Sequence, residues 1–105
     1  MSEVRIHALQ ALLARNPHDG RAHFGLATEY EKSEQWDLVI RHLRAYLETS
    51  EDQGNAWGRL AKAQLATGDA QAAARSYQTG IECAIRHGHP SMAGEFEDAL
   101  ASLNG

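Results

Sequence analysis

Two stretches of this chain match one another at a constant spacing of 34 residues. With GRAHFGLATEY, beginning at Gly20, laid over GNAWGRLAKAQ, beginning at Gly54, Gly20 meets Gly54, Ala22 meets Ala56, Leu26 meets Leu60 and Ala27 meets Ala61. Farther along, Arg41 falls on Arg75, Leu43 on Tyr77, Leu47 on Ile81 and Glu48 on Glu82, and no gap is needed anywhere. An internal period of this length means that one supersecondary unit is stacked on its own copies, because a single unit cannot bury its apolar face alone.

The pattern inside each unit is helical, with apolar residues recurring three and four positions apart and no competing alternation of the strand type. Six helices are expected, at about 3 to 15, 20 to 33, 35 to 49, 53 to 66, 69 to 87 and 90 to 103, all boundaries within the usual two to four residues. Thr67-Gly68-Asp69 supplies a glycine stop followed by an N-cap, and Pro90 suits a first helical turn. The arrangement is an all-α stack within one domain: an N-terminal half-repeat helix (1–17), a first repeat (20–53), a second repeat (54–87) and a closing helix (90–103).

At these positions the chain resembles the tetratricopeptide repeat (TPR) family, whose 34-residue helix-turn-helix carries W-x2-L-G-x2-Y in its first helix and A-x3-F in its second. The first signature stands here as Trp57, Leu60, Ala61 and Gln64, and in weaker form as His23, Leu26, Ala27 and Tyr30. The second stands as Ala73 with Tyr77 and as Val39 with Leu43. Ala replaces the family Gly in both units, Gln64 replaces the Tyr, and Glu51 occupies the expected Pro position. The resemblance implies an α-solenoid and a concave groove that holds a peptide segment of a partner protein.

The abundance of Ala and Gly between Gly54 and Tyr77 fits this architecture, since helices approach closely only where the facing side chain is small. Ala27, Ala61, Ala73 and Ala74 are the expected contact points, with Leu26, Leu60, Trp57 and Tyr77 projecting into them. Trp36 and Trp57 both fall at core spacing.

Opposite the core stripe, the second helix carries Arg21, Phe24, Thr28, Glu31 and Lys32, and the fourth carries Asn55, Gly58, Arg59, Lys62 and Leu65. Arg21, Phe24, Thr28, Lys32, Asn55, Gly58, Arg59 and Lys62 are the candidate partner-binding residues. Their four cations stand out in a chain whose formal net charge is -4, and such a local reversal of sign favours an acidic segment or simply makes a solvated face. Phe24 and Gly58 are equivalent positions, so a ring lies one period from a gap that a partner side chain could enter. Phe24 itself either faces that groove or packs under the N-terminal helix. The chaperone-tail clamp of the resembling family places Lys and Asn where this chain has Phe24 and Thr28, so that specific ligand is not expected.

Composition removes other function classes. Acidic residues outnumber basic ones and no basic run occurs, which argues against nucleic acid. His7, Gln10 and Arg15 interrupt the N-terminal apolar residues, so neither a leader nor a membrane span is expected, and the single Cys83 agrees with a reducing, cytoplasmic setting. Cys83 and His87 share a helical face but lack a third orienting group, and His87 with His89 lack further ligands. No catalytic residue, metal or cofactor is expected. Asp37 with Arg41 and Glu82 with Arg86 have the favourable i, i+4 order for ion pairs.

The sequence thus describes a non-enzymatic protein-protein interaction module. The alternative is a structural assembly unit in which end helices stack on a second copy, motivated by the apolar stripe Met92, Ala93, Phe96, Ala99, Leu100 and Leu103. Glu95, Glu97, Asp98 and Ser102 give the closing helix a polar side that favours a monomer.

Overall fold

The structure, a computed structural model, describes residues 2–104, and among them every regular element is helical. The six helices are α1 (Glu3–Arg15), α2 (Gly20–Lys32), α3 (Trp36–Thr49), α4 (Asn55–Ala66), α5 (Ala70–Arg86) and α6 (Pro90–Asn104). The described residues divide into two compact units, on either side of the boundary between Glu51 and Asp52, with three helices in each.

In the first unit α2 and α3 run antiparallel: the start of α2 at Gly20 lies on Tyr46, Thr49 and Ser50, while Tyr30 near its end stacks on His42 with centroids 5.7 Å apart. Helix α1 lies antiparallel along α2, with Leu9 against Gly25 and Arg5 against Glu29. Ala22, Leu26, Ala27, Val39 and Leu43 are fully buried here. The second unit repeats the device, since Gly54 at the start of α4 faces Gly80 and Ala84 of α5, and Gln64 near its end accepts a hydrogen bond from the Ser76 hydroxyl at 2.6 Å. Gln64 and Ser76 stand 34 residues beyond Tyr30 and His42, so the same two positions join first to second helix in both repeats, once by ring stacking and once by a buried hydrogen bond.

The small-residue reading holds at Ala27, Ala61 and Ala73, all fully buried. It needs two corrections. Ala74 is only half-buried, and Ala72 faces inward beside Ala73 instead. Neither Trp36 nor Trp57 is fully buried. The indole of Trp57 is too large for a contact of this closeness, and its Cβ already lies about 3 Å from where a side chain on Gly80 would begin.

Helix ends follow local chemistry. Asp19 and Asp69 cap α2 and α5 by accepting from the amides of Ala22 and Ala72. Asp52 accepts from the amides of Gly54 and Ala56, which starts α4 at Asn55 and leaves Gly54 outside it with φ +129°. Helices α2, α4 and α5 end alike, with the carbonyls of Tyr30, Gln64 and Ala84 accepting from the amides of Gln35, Asp69 and His89. That closure requires a left-handed residue before the donor. Gly68 and Gly88 take it at φ 85° and 75°, but Glu34 takes it at φ 56° with a side chain in place. Replacing Glu34 with Gly is therefore expected to stabilise the protein by about 0.5 to 1 kcal/mol, and a chemical melt showing no gain contradicts the strain assigned to this turn.

Candidate functional site

The α2 and α4 faces each line an open hollow. The first, about 340 Å³, is bordered by Arg5, Arg21, Phe24, Gly25, Thr28 and Tyr46. The second, about 310 Å³, is bordered by Asn55, Gly58, Arg59, Lys62, Met92, Glu95 and Phe96. The α2 residues of the first hollow, at positions 21, 24, 25 and 28, fall one period before the α4 residues of the second, at 55, 58, 59 and 62. Seven of the eight expected binding residues line these hollows. The repeat has copied the hollow along with the fold.

Lys32 is the exception. Its ammonium lies 2.9 Å from a carboxylate oxygen of Glu29, which is only 1% exposed, and Arg5 reaches the same oxygen at 3.3 Å. The Ser2 amide donates to the other oxygen at 3.0 Å. A carboxylate removed from water must be met by donors, so Lys32 is drawn from the face to Glu29. The hydrogen bond from Lys32, then that from Ser2, hold the Glu29 carboxyl below its ordinary value. Arg5, which sequence reasoning passed over because it belongs to α1, borders the first hollow instead. Two side-chain ion pairs thus converge on Glu29, and among the described residues the expected Asp37–Arg41 and Glu82–Arg86 pairs do not form.

Phe24 is half-buried, with its ring 4.9 Å from that of Tyr46, so it packs on α3 while one part of it borders the hollow. The gap expected at Gly58 is already filled. A Cβ built on Gly58 would meet the Phe96 ring at 2.5 Å, and one built on Gly80 would meet its other edge at 3.0 Å. Gly58 and Gly80 are the equivalents of Phe24 and Tyr46: where the first repeat places two rings, the second has two glycines with an α6 ring clamped between them. The α6 stripe that suggested end-to-end stacking is turned the same way, since Met92, Ala99, Leu100 and Leu103 pack on the cluster of Ala61, Ala73, Tyr77, Ile81, Ala84, Ala93 and Phe96.

A polar cluster that sequence reasoning missed adjoins the first hollow's helices. His23 Nε2 lies 2.8 Å from the Pro17 carbonyl, and its Nδ1 lies 2.9 Å from Nδ1 of His42. A proton on His23 Nε2 serves Pro17 and leaves Nδ1 as acceptor, so His42 carries its proton on Nδ1 and donates. Burial, with the His23 and Arg41 charges adding to it, pulls the His42 imidazole down to about 4.

The other groups weighed for chemistry sit apart. Cys83 is a buried free thiol, His87 caps α5 through its backbone amide, and the His89 ring hydrogen-bonds the Gln53 amide oxygen. Among the described residues no group of three or more His, Cys, Asp or Glu comes together to hold a metal, and no helix is long and apolar enough to cross a membrane.

No protein-family model matches the sequence, and no curated protein matches it. The solution structure of a structural-genomics target protein from Bordetella parapertussis is similar to this chain, with a TM-score of 0.78 and 28% identity over 99% of this chain and 90% of that one. The likeness supports the all-helical fold at this length.

Two expectations follow. Gly58→Ala should destabilise the protein by about 1 to 3 kcal/mol through overpacking against Phe96, although Ala is intrinsically the better helix former by about 1 kcal/mol; equal melts for variant and parent contradict the clamp. For pH, a depressed native value means that the fold favours neutral His42, so stability is complete above its ordinary value of 6.5 and falls as pH drops toward about 4. Glu29 is depressed in the carboxylate sense, so its share is present above the ordinary Glu range and is lost as pH falls through its lower native value. Chemical melts across this range should show the first decline abolished in His42→Gln and the second reduced in Glu29→Gln.

Proposed function

We propose that the chain is a TPR-type, non-enzymatic interaction module that binds an acidic segment of a partner protein at the α2 and α4 faces. The observation that carries this reading is the recurrence of one open hollow at equivalent repeat positions. Cores demand that buried positions recur, but nothing in packing demands that an exposed concavity do so.

The chemistry of the linings gives the ligand class. Arg5 and Arg21 flank the Phe24 and Tyr46 rings in the first hollow, and Arg59 with Lys62 border the second, where Glu95 is the single carboxylate. A ligand carboxylate gains from such cations in the manner of a rim contact, which fixes register and association rate more than affinity. The apolar part of the ligand has the ring pair of the first hollow to rest on. Free Cys83, buried in the second unit, suits a reducing compartment such as the cytoplasm.

The test is an NMR titration of the labelled protein with acidic and with neutral peptides of equal length. Acidic peptides should shift the amides of Arg21, Phe24, Thr28, Arg59 and Lys62, and added salt should weaken the interaction. Charge reversal in Arg59→Glu with Lys62→Glu is expected to reduce affinity by about tenfold or more. Shifts confined to the opposite faces of α2 and α4, or identical behaviour of both peptides, would overturn the reading.

A further inference from the structure

The charges of the first unit break the repeat pattern at three positions together. At the 34-residue spacing Arg5 falls on Val39 and Ala73, Gly25 on Arg59, and Glu29 on Ala63. Val39, Ala63 and Ala73 are apolar and fully buried, so the packing of a repeat asks for no charge at those places. Yet Glu29 is only 1% exposed and gathers Arg5, Lys32 and the Ser2 amide around its carboxylate. Buried ion pairs are often matched or bettered in stability by apolar side chains, and with Ala63 the second repeat does without one. What the carboxylate does achieve is to hold Arg5.

The hold is at one end of the guanidinium. Glu29 Oε2 lies 3.3 Å from Nε of Arg5, while the terminal nitrogen Nη2 stands over Gly25, 3.5 Å from where a Cβ there would be. Arg5 and Gly25 both line the first hollow, just as Arg59, the equivalent of Gly25, lines the second. Each hollow is thus supplied with an arginine at the same repeat position. In the second it grows from the repeat's own helix; in the first it arrives from α1 across a glycine, with its side chain 57% exposed. Two cations meet one carboxylate at Glu29, so a positive charge is left over, and Arg21 adds another on the border of the hollow.

We propose that Arg5 reads a carboxylate in the first hollow. It keeps Glu29 on Nε and gives its terminal nitrogens to a Glu or Asp side chain of the bound segment, whose neighbouring aromatic residue rests on the Phe24 and Tyr46 rings. This rests on the reading of the α2 face as a peptide-binding surface. Arginine suits the double task, because its planar fork carries donors at both ends and takes a carboxylate by parallel hydrogen bonds. A lysine has a single nitrogen to place. The carboxylate belongs to a side chain rather than a chain end, since an arginine recurs in both hollows and a peptide has one carboxyl terminus. The aromatic neighbour follows from the ring pair on the same lining, whose centroids lie 4.9 Å apart.

The test is an NMR titration with three blocked peptides: one with a Glu next to a Phe, one with Gln in place of that Glu, and one with the Gln and a free carboxyl terminus. Affinity is read at the Phe24 and Thr28 amides for the first hollow and at the Gly58 and Lys62 amides for the second. At the first hollow the unaltered protein should prefer the Glu peptide to either of the others by about tenfold. Arg5→Gln should abolish that preference and leave the second hollow as it was. Arg5→Lys should melt like the parent, because it still pairs with Glu29, yet lose most of the preference. Arg15→Gln removes the same charge from the same helix away from the hollow, and should retain it. A merely structural Arg5 would lower the melt and leave the ratio of affinities intact. That result overturns the inference, as does a preference in Arg5→Lys equal to the parent's, or a third peptide that binds as tightly as the first. In each of those cases the peptides still shift the α2 and α4 faces and the groove reading stands; peptides that shift neither face end both.

Discussion

Everything in this molecule depends on how closely two antiparallel helices can approach in the middle of each repeat. Ala27, Ala61 and Ala73 have no exposed surface, so there the backbones themselves set the separation. Around those contacts the chain is free to vary the chemistry. The bridge between helices is an imidazole-phenol stack in one repeat and an amide-hydroxyl hydrogen bond in the other, at the same two positions. Geometry is conserved between the repeats while the means of satisfying the buried groups is not.

The same freedom explains why fold and site were unequally legible. Helix number, order and ends could be read from the period, because each depends on residues a few places apart: apolar spacing, Asp69 as a cap, Gly68 as a stop. The candidate surface could be read as a face, because helical geometry alone decides which residues lie opposite the core. What could not be read depends on contacts between elements. Lys32 is at a surface position by any helical wheel, yet Glu29, three residues before it on α2 and buried where Ser2 and Arg5 pack on it, captures it. Gly58 reads as a gap until Phe96, which lies on another helix, is placed in it.

A usable signal for some of these errors was present in the alignment of the repeats. Phe24 with Tyr46 and Gly58 with Gly80 change together from two rings to two glycines. Loss of volume at two facing positions at once is the mark of a space that something else fills, and α6 carries one Phe at a position that can reach it. Glu34 opposite Gly68 carried a similar signal, since a turn that demands a left-handed residue in one repeat demands it in the other. Comparing repeats for paired changes is thus more informative than scoring each against a consensus.

The two linings also differ in charge and in the source of their rings. In the first unit the ring pair belongs to the repeat itself, and the cations come from two helices, Arg5 from α1 and Arg21 from α2. In the second, the ring is supplied by α6, which brings Glu95 with it and so offsets part of the charge of Arg59 and Lys62. The first hollow therefore combines an apolar floor with the cation of Arg21 and that of Arg5, the latter shared with Glu29, and the second is mixed in sign. Equivalent positions of the two repeats thus acquire different chemistry through what the neighbouring helices contribute, while the repeated helix supplies only the frame.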